Sequence, residues 1–107
     1  MAADAEDLRA LEVELSRVAD RLNGMPLTRA ESASEACYDT AGLIVERTRT
    51  MTPAIPAGAA LPRLAPHALG ALIAVVGRDY LDAARASSDA DVGPVLNALV
   101  ELRRALP

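Results

Sequence analysis

The chain has 107 residues, of which 51% are hydrophobic and 24% are charged, and its formal net charge is −4. This length and composition are those of one globular domain with a single core, so we expect one domain over residues 1–107. The acidic balance and the scarcity of aromatic residues argue against nucleic-acid binding, which needs a basic surface and stacking platforms. Cys37 is the only cysteine, and the acidic N-terminal stretch resembles no secretory signal, so we expect a reducing, cytoplasmic location.

The first predicted element is a helix over residues 3–22, ended by the Asn-Gly-Met-Pro stretch that follows. Its large apolar residues are spaced three, four, three and four apart and therefore share one helix face. They are Leu8, Leu11, Leu15, Val18 and Leu22. This stripe can pack against helices of the same chain or against another protein. In the second case the stripe is the partner-binding surface, and we expect a homodimer or a protein partner.

The second predicted helix covers residues 28–51. Thr28 followed by Glu31 is the pattern of a capping box, in which each side chain bonds a free backbone N–H at the helix start. Pro53 blocks further turns. The predicted inner stripe is rich in small residues, which allow a neighbouring helix to approach closely; it comprises Ala30, Ala33, Cys37, Ala41, Ile44, Thr48 and Met51.

The segment 52–65 contains three prolines and one glycine, so it is predicted to be a long connection between the second and third helices. We expect Ile55, Leu61 and Leu64 to pin this connection to the core. An apolar ligand bound beneath it is one of the functions that the sequence leaves open.

The third and fourth helices are predicted over residues 66–86 and 91–105. The most apolar run, residues 64–77, has 14 residues without a fixed charge. That is shorter than the roughly 20 residues needed to span a membrane, so we expect a buried helix and no membrane segment. The residues expected to face the core are Leu69, Leu72, Ile73, Val76, Tyr80 and Ala83 in the third helix, and Val92, Leu96, Leu99, Leu102 and Leu106 in the fourth.

These elements predict an all-α fold, in the form of a small four-helix up-down bundle with a long Pro-rich connection between helices two and three. No segment alternates with the period of a strand. The apolar faces of the helices are expected to pack together in one hydrophobic core, with the third helix at its centre.

Two carboxylate pairs are the strongest sign of metal chemistry. Glu31 and Glu35 are four residues apart, and Asp79 and Asp82 are three apart, so each pair shares a helix face. If the pairs faced each other they could hold Mg²⁺, as in a metal-assisted hydrolase acting on a small phosphorylated substrate. The first pair lacks the Glu-x-x-Glu spacing of such enzymes, so we assign no metal ligand.

The remaining reactive residues stand alone. His67 precedes a leucine and a glycine, as does the exposed histidine of phosphotransfer domains, but the lysine of that motif is missing and His67 lies in a first helical turn. Cys37 falls on an inner stripe, which predicts a buried and inert thiol. We therefore assign no catalytic residue and no cofactor. The expected function is a non-catalytic helical interaction or oligomerisation module.

Overall fold

The computed structural model of the protein describes residues 4–52, 63–87 and 90–107. Within those ranges the chain forms five α-helices, one short 3₁₀ turn at Pro66–Ala68 and no strand, which confirms the all-α prediction. The helices are α1 (Ala5–Asn23), α2 (Leu27–Ser32), α3 (Ser34–Arg49), α4 (Leu69–Ala86) and α5 (Gly93–Ala105).

The ends of α1 follow from local chemistry. The Asp4 side chain accepts a hydrogen bond from the Asp7 backbone N–H at 2.8 Å, which satisfies one of the free donors at the helix start. At the other end, the Gly24 N–H donates to the Asp20 carbonyl and ends the helix. The predicted bounds of this helix are therefore correct to within two residues.

The predicted second helix is divided at Ala33 into α2 and α3, and its capping box is wrong. The helix starts at Leu27, directly after Pro26, so Thr28 lies inside the first turn and no side chain caps it. The Ser32 hydroxyl donates to the Arg29 carbonyl at 2.8 Å, and the Ala33 N–H reaches that same carbonyl. A side-chain hydroxyl that competes for a backbone acceptor favours a turn over a continuous helix.

The core is built from the predicted faces. The predicted stripe from Ala33, the N-cap of α3, to Thr48 is buried, and the Thr48 hydroxyl donates to the Ile44 carbonyl at 2.8 Å, so this buried hydroxyl has a hydrogen-bond partner. Five of the six residues of the predicted α4 face are buried and Ala83 is half-buried, so α4 is a core helix, while Ala71, Ala74 and Val75 on its other side are exposed. The largest fully buried side chains are Tyr80, Leu11, Ile44, Leu69, Ile73, Leu99, Val18, Val95 and Cys37.

The four long helices form a closed ring in the order α1, α4, α3, α5. α1 and α4 are antiparallel, because Glu12 near the start of α1 pairs with Arg85 near the end of α4 at 3.4 Å. At the opposite end, Ala19 lies beside Gly70. In this ring of described helices, α1 lies diagonally opposite α3, and α4 lies diagonally opposite α5.

α3 runs parallel to α4 and antiparallel to α5. Tyr38, near the start of α3, bonds to the backbone of Leu64 just before α4, whereas Arg47 near the end of α3 shares a cavity with Tyr80 and Asp91. The bundle therefore runs up, down, down, up.

The predicted up-down order is not confirmed, because α3 and α4 point in the same direction. A chain that leaves the end of α3 must return along the bundle, over about 24 Å for a 16-residue helix. The 16 residues of 50–65 reach roughly 50 Å when extended, so the connection is long enough. Its central part, 53–62, lies outside the described residues, as do the predicted anchors Ile55 and Leu61.

Candidate functional site

The predicted partner-binding stripe of α1 lies inside the bundle. Leu11, Leu15, Val18 and Leu22 are buried, and Leu8 is partly buried against the same core. α1 packs against α4 and α5, and this arrangement favours the first of the two interpretations, packing within the chain. A partner surface has to consist of residues that remain exposed.

Sequence reasoning missed a buried carboxylate on that same face of α1. Glu14 is only 7% exposed, and its oxygens accept hydrogen bonds from Arg103 of α5 at 2.9 and 3.3 Å and from Arg17 at 3.2 Å. These bonds from Arg103 hold the pKa of Glu14 below its ordinary value, against the opposing effect of burial. The only sign of this carboxylate in the sequence was its place between two leucines of the apolar stripe. Its partner could not be inferred, because Arg103 is 89 residues away in the chain.

The two carboxylate pairs do not converge. Glu31 lies in α2 and Glu35 in α3, on either side of the break, while Asp79 and Asp82 lie on the exposed face of α4. Glu35 pairs with an arginine at 3.4 Å and Asp82 with another at 3.9 Å. In the described part of the chain, no three His, Cys, Asp or Glu side chains come together where they could hold a metal ion.

The reactive side chains stand where the sequence placed them. His67 is exposed in the 3₁₀ turn before α4. Cys37 is fully buried, and burial raises the pKa of its thiol to about 11. A thiol with that pKa carries almost no thiolate at neutral pH, so it is a poor nucleophile and a poor metal ligand.

An open apolar groove follows the outside of α3 and α5, which contact each other less than the other neighbouring helices do. We call it the α3–α5 groove. It has a volume of about 430 Å³ and is lined by Ala36, Asp39, Thr40 and Leu43 of α3 and by Ala98, Glu101, Leu102 and Ala105 of α5. Four of the eight lining residues are Ala or Thr, and the two charged ones are both acidic.

No helix in the described residues combines the length and the hydrophobicity needed to cross a bilayer. No protein-family model, no curated protein sequence and no solved structure matches this chain. The α3–α5 groove is the candidate site because it is an open, mainly apolar surface between two helices.

Proposed function

We propose that the protein is a non-catalytic interaction module whose α3–α5 groove binds an amphipathic helix of another protein. The proposal depends on one observation: between two antiparallel helices lies an open groove with a mainly apolar lining, and its two charged lining residues are acidic. A partner helix would present a narrow apolar stripe with Arg or Lys on both sides.

The shape of the groove suits a helix because its side chains are short. Ala36 and Thr40 on α3 face Ala98 and Ala105 on α5 across the opening. Small residues on both walls let the backbone of a third helix approach closely, so that ridges of side chains fill the groove. Helix-in-groove docking of this kind uses anchors spaced three and four residues apart.

The charges favour a basic partner over a second copy of the chain. Asp39 and Glu101 lie on opposite walls of the groove, and the whole chain carries a net charge of −4. A homodimer formed through this groove would bring four carboxylates into one interface, and like charges there cost free energy. Of the homodimer and the protein partner that the sequence predicts, we therefore favour the protein partner.

Two designed helical peptides test this proposal. Both carry the same stripe of Ala and Leu, flanked by Arg in one and by Glu in the other, and fluorescence anisotropy measures their affinity for the full chain. We expect the Arg peptide to bind and the Glu peptide to bind at least tenfold more weakly. The affinity for the Arg peptide should fall as salt rises, because the charges are exposed.

Paired variants then locate the site. Removing both groove carboxylates, Asp39→Asn with Glu101→Gln, should weaken binding of the Arg peptide by about tenfold, since two exposed ion pairs contribute roughly 1 kcal/mol or more together. The control, Glu31→Gln with Asp79→Asn, makes the same change in net charge elsewhere and should leave affinity within twofold. Equal losses in both variants, or a dimer by light scattering that the groove variant dissociates, would overturn the proposal.

The other functions weighed on the sequence have less support. A metal-assisted hydrolase needs Glu31, Glu35, Asp79 and Asp82 to converge, and these four exposed side chains form no group. For an apolar ligand beneath the connection, only Leu64 of the three expected lining residues is described, and it is 38% exposed. A reducing, cytoplasmic location stays part of the proposal, supported by one buried free thiol.

A further inference from the structure

A second cavity lies at the end of the bundle where α3 and α4 end and α5 is about to begin. We call it the end cavity. Its volume is about 450 Å³, within the range of small-molecule sites. It is lined by Arg47, Thr50, Met51, Tyr80, Ser87, Ala90 and Asp91. Unlike the α3–α5 groove it is mainly polar, and its position follows from the parallel course of α3 and α4.

The cavity has one wall of each charge. The Arg47 guanidinium and the Asp91 carboxylate both line it, yet no nitrogen of Arg47 lies within the 4.0 Å of an ion pair from an oxygen of Asp91. Within the described residues, Arg47 forms no ion pair with any carboxylate. Two opposite charges that line one cavity without pairing leave room for a molecule that carries both.

The negative wall is held in place by the start of α5. The Gly93 N–H donates to Oδ1 of Asp91 at 3.0 Å, which orients the carboxylate and leaves Oδ2 for a further donor. The carboxyl-terminal ends of α3 and α4 lie at the same end of the bundle, and the helix dipoles add partial negative charge there. This wall therefore suits an ammonium group.

Tyr80 joins the two walls. Its side chain is almost entirely buried, at 2% exposure, and its hydroxyl donates to the Asp91 backbone carbonyl at 3.4 Å, a long hydrogen bond. Burial and the Asp91 charge raise the pKa of this hydroxyl, and the Arg47 charge opposes them. Both charges therefore act on one buried group. Met51 and Ala90 supply the apolar part of the lining.

We propose that the end cavity binds a small zwitterion of the α-amino-acid class, with its carboxylate at Arg47, its ammonium at Asp91 and a small apolar side chain against Met51 and Ala90. This inference is independent of the groove. The charge pattern favours a ligand with both groups over a simple anion or cation, because each charged wall gains a partner only when both are present.

The test uses the full chain and four probes: L-leucine, L-glutamate, isopentylamine and isovalerate. Leucine should shift the Met51 methyl resonance in a saturable titration and raise the melting temperature. The amine and the carboxylate, each of which keeps one charge of leucine, should bind at least tenfold more weakly, and so should glutamate. Equal binding of either single-charge probe, or no leucine-induced shift of the methyl resonance, would overturn the proposal.

Variants assign the two walls. Arg47→Gln and Asp91→Asn should each weaken leucine binding at least tenfold, and both residues are exposed, so the fold should survive. Asp91→Asn also keeps an oxygen for the Gly93 N–H. The matched control is Arg104→Gln, an exposed arginine near the far end of α5, which should leave leucine affinity unchanged. If the control weakens binding as much as Arg47→Gln does, the assignment to this cavity is wrong.

Discussion

Replacing Gly77 with alanine tests how tightly α4 packs against α1. Gly77 lies in the buried face of α4, and a Cβ atom added there would overlap Leu15 of α1, with Cδ1 at 2.9 Å and Cγ at 3.1 Å and the other methyl closer still. Rotating the Leu15 methyl groups cannot relieve the contact with Cγ. The buried leucine must therefore shift within a filled core, and close-packed interiors resist such shifts.

Two opposing effects set the magnitude. Alanine in place of glycine inside a helix gains about 1 kcal/mol from propensity. Forcing an extra carbon into a packed core costs about 1–3 kcal/mol. Gly42 in α3 isolates the first effect, because a Cβ added there would have nothing within 4 Å. We expect Gly42→Ala to stabilise the protein by about 1 kcal/mol, and Gly77→Ala to be less stable than Gly42→Ala by about 1–3 kcal/mol.

Urea unfolding followed by circular dichroism gives the free energy of each variant. The Leu15→Ala variant removes the atoms that a Cβ at position 77 would meet. It should itself lower the free energy of unfolding by about 2–5 kcal/mol, because the leucine is buried. In that background Gly77→Ala should stabilise the protein, as Gly42→Ala does in the wild type. Tight packing of Gly77 against Leu15 is refuted if Gly77→Ala stabilises the wild-type protein, or if its effect is the same with and without the Leu15 side chain.

Three further predictions concern single side chains. Glu14→Gln should lower the free energy of unfolding at pH 7 by about 1–3 kcal/mol, because it weakens the hydrogen bonds that Arg103 donates to the carboxylate. The folded-state pKa of Glu14 lies below its ordinary 4.5. The stability difference between wild type and variant should therefore be at its maximum above pH 4.5 and shrink as the pH falls through the folded-state pKa. A stability difference that does not change with pH would contradict this prediction. Cys37 should react with Ellman's reagent only as fast as the chain opens, so rapid labelling in native buffer would refute its burial. Tyr38→Phe should destabilise the protein by about 1 kcal/mol in urea melts through the lost bond from the Leu64 N–H, and an unchanged midpoint would show that bond to be unimportant.

The interior was accessible from the sequence because apolar spacing reports which helix face is buried. Four of the five residues of the predicted α1 stripe are buried and Leu8 is half-buried, and five of the six residues of the predicted α4 face are buried and Ala83 is half-buried. The break at Ala33 was not, because it depends on competing hydrogen bonds to the Arg29 carbonyl rather than on hydrophobic period. Propensity alone favours a continuous helix there.

The order of the helices was beyond reach for a different reason. Period and spacing say which face is buried but not which helix covers it, and a long connection permits either direction for α4. The same ambiguity hid both candidate sites, since each depends on α3 and α5 lying side by side. It also hid the partner of Glu14. The one available sign was the length of the segment 50–65, which exceeds what a tight turn between antiparallel helices needs.

The shared direction of α3 and α4 places α5 antiparallel to α3 and so creates both the groove and the end cavity. Spin labels at exposed positions test it directly, and the buried Cys37 thiol should stay unlabelled. One pair joins Asp39→Cys to Ala71→Cys, and the other joins Asp39→Cys to Ala86→Cys; the two α4 sites are about 22 Å apart along the helix. If α3 and α4 are parallel, the pair with Ala71 gives the shorter distance, and a shorter distance for the pair with Ala86 would show that they are antiparallel.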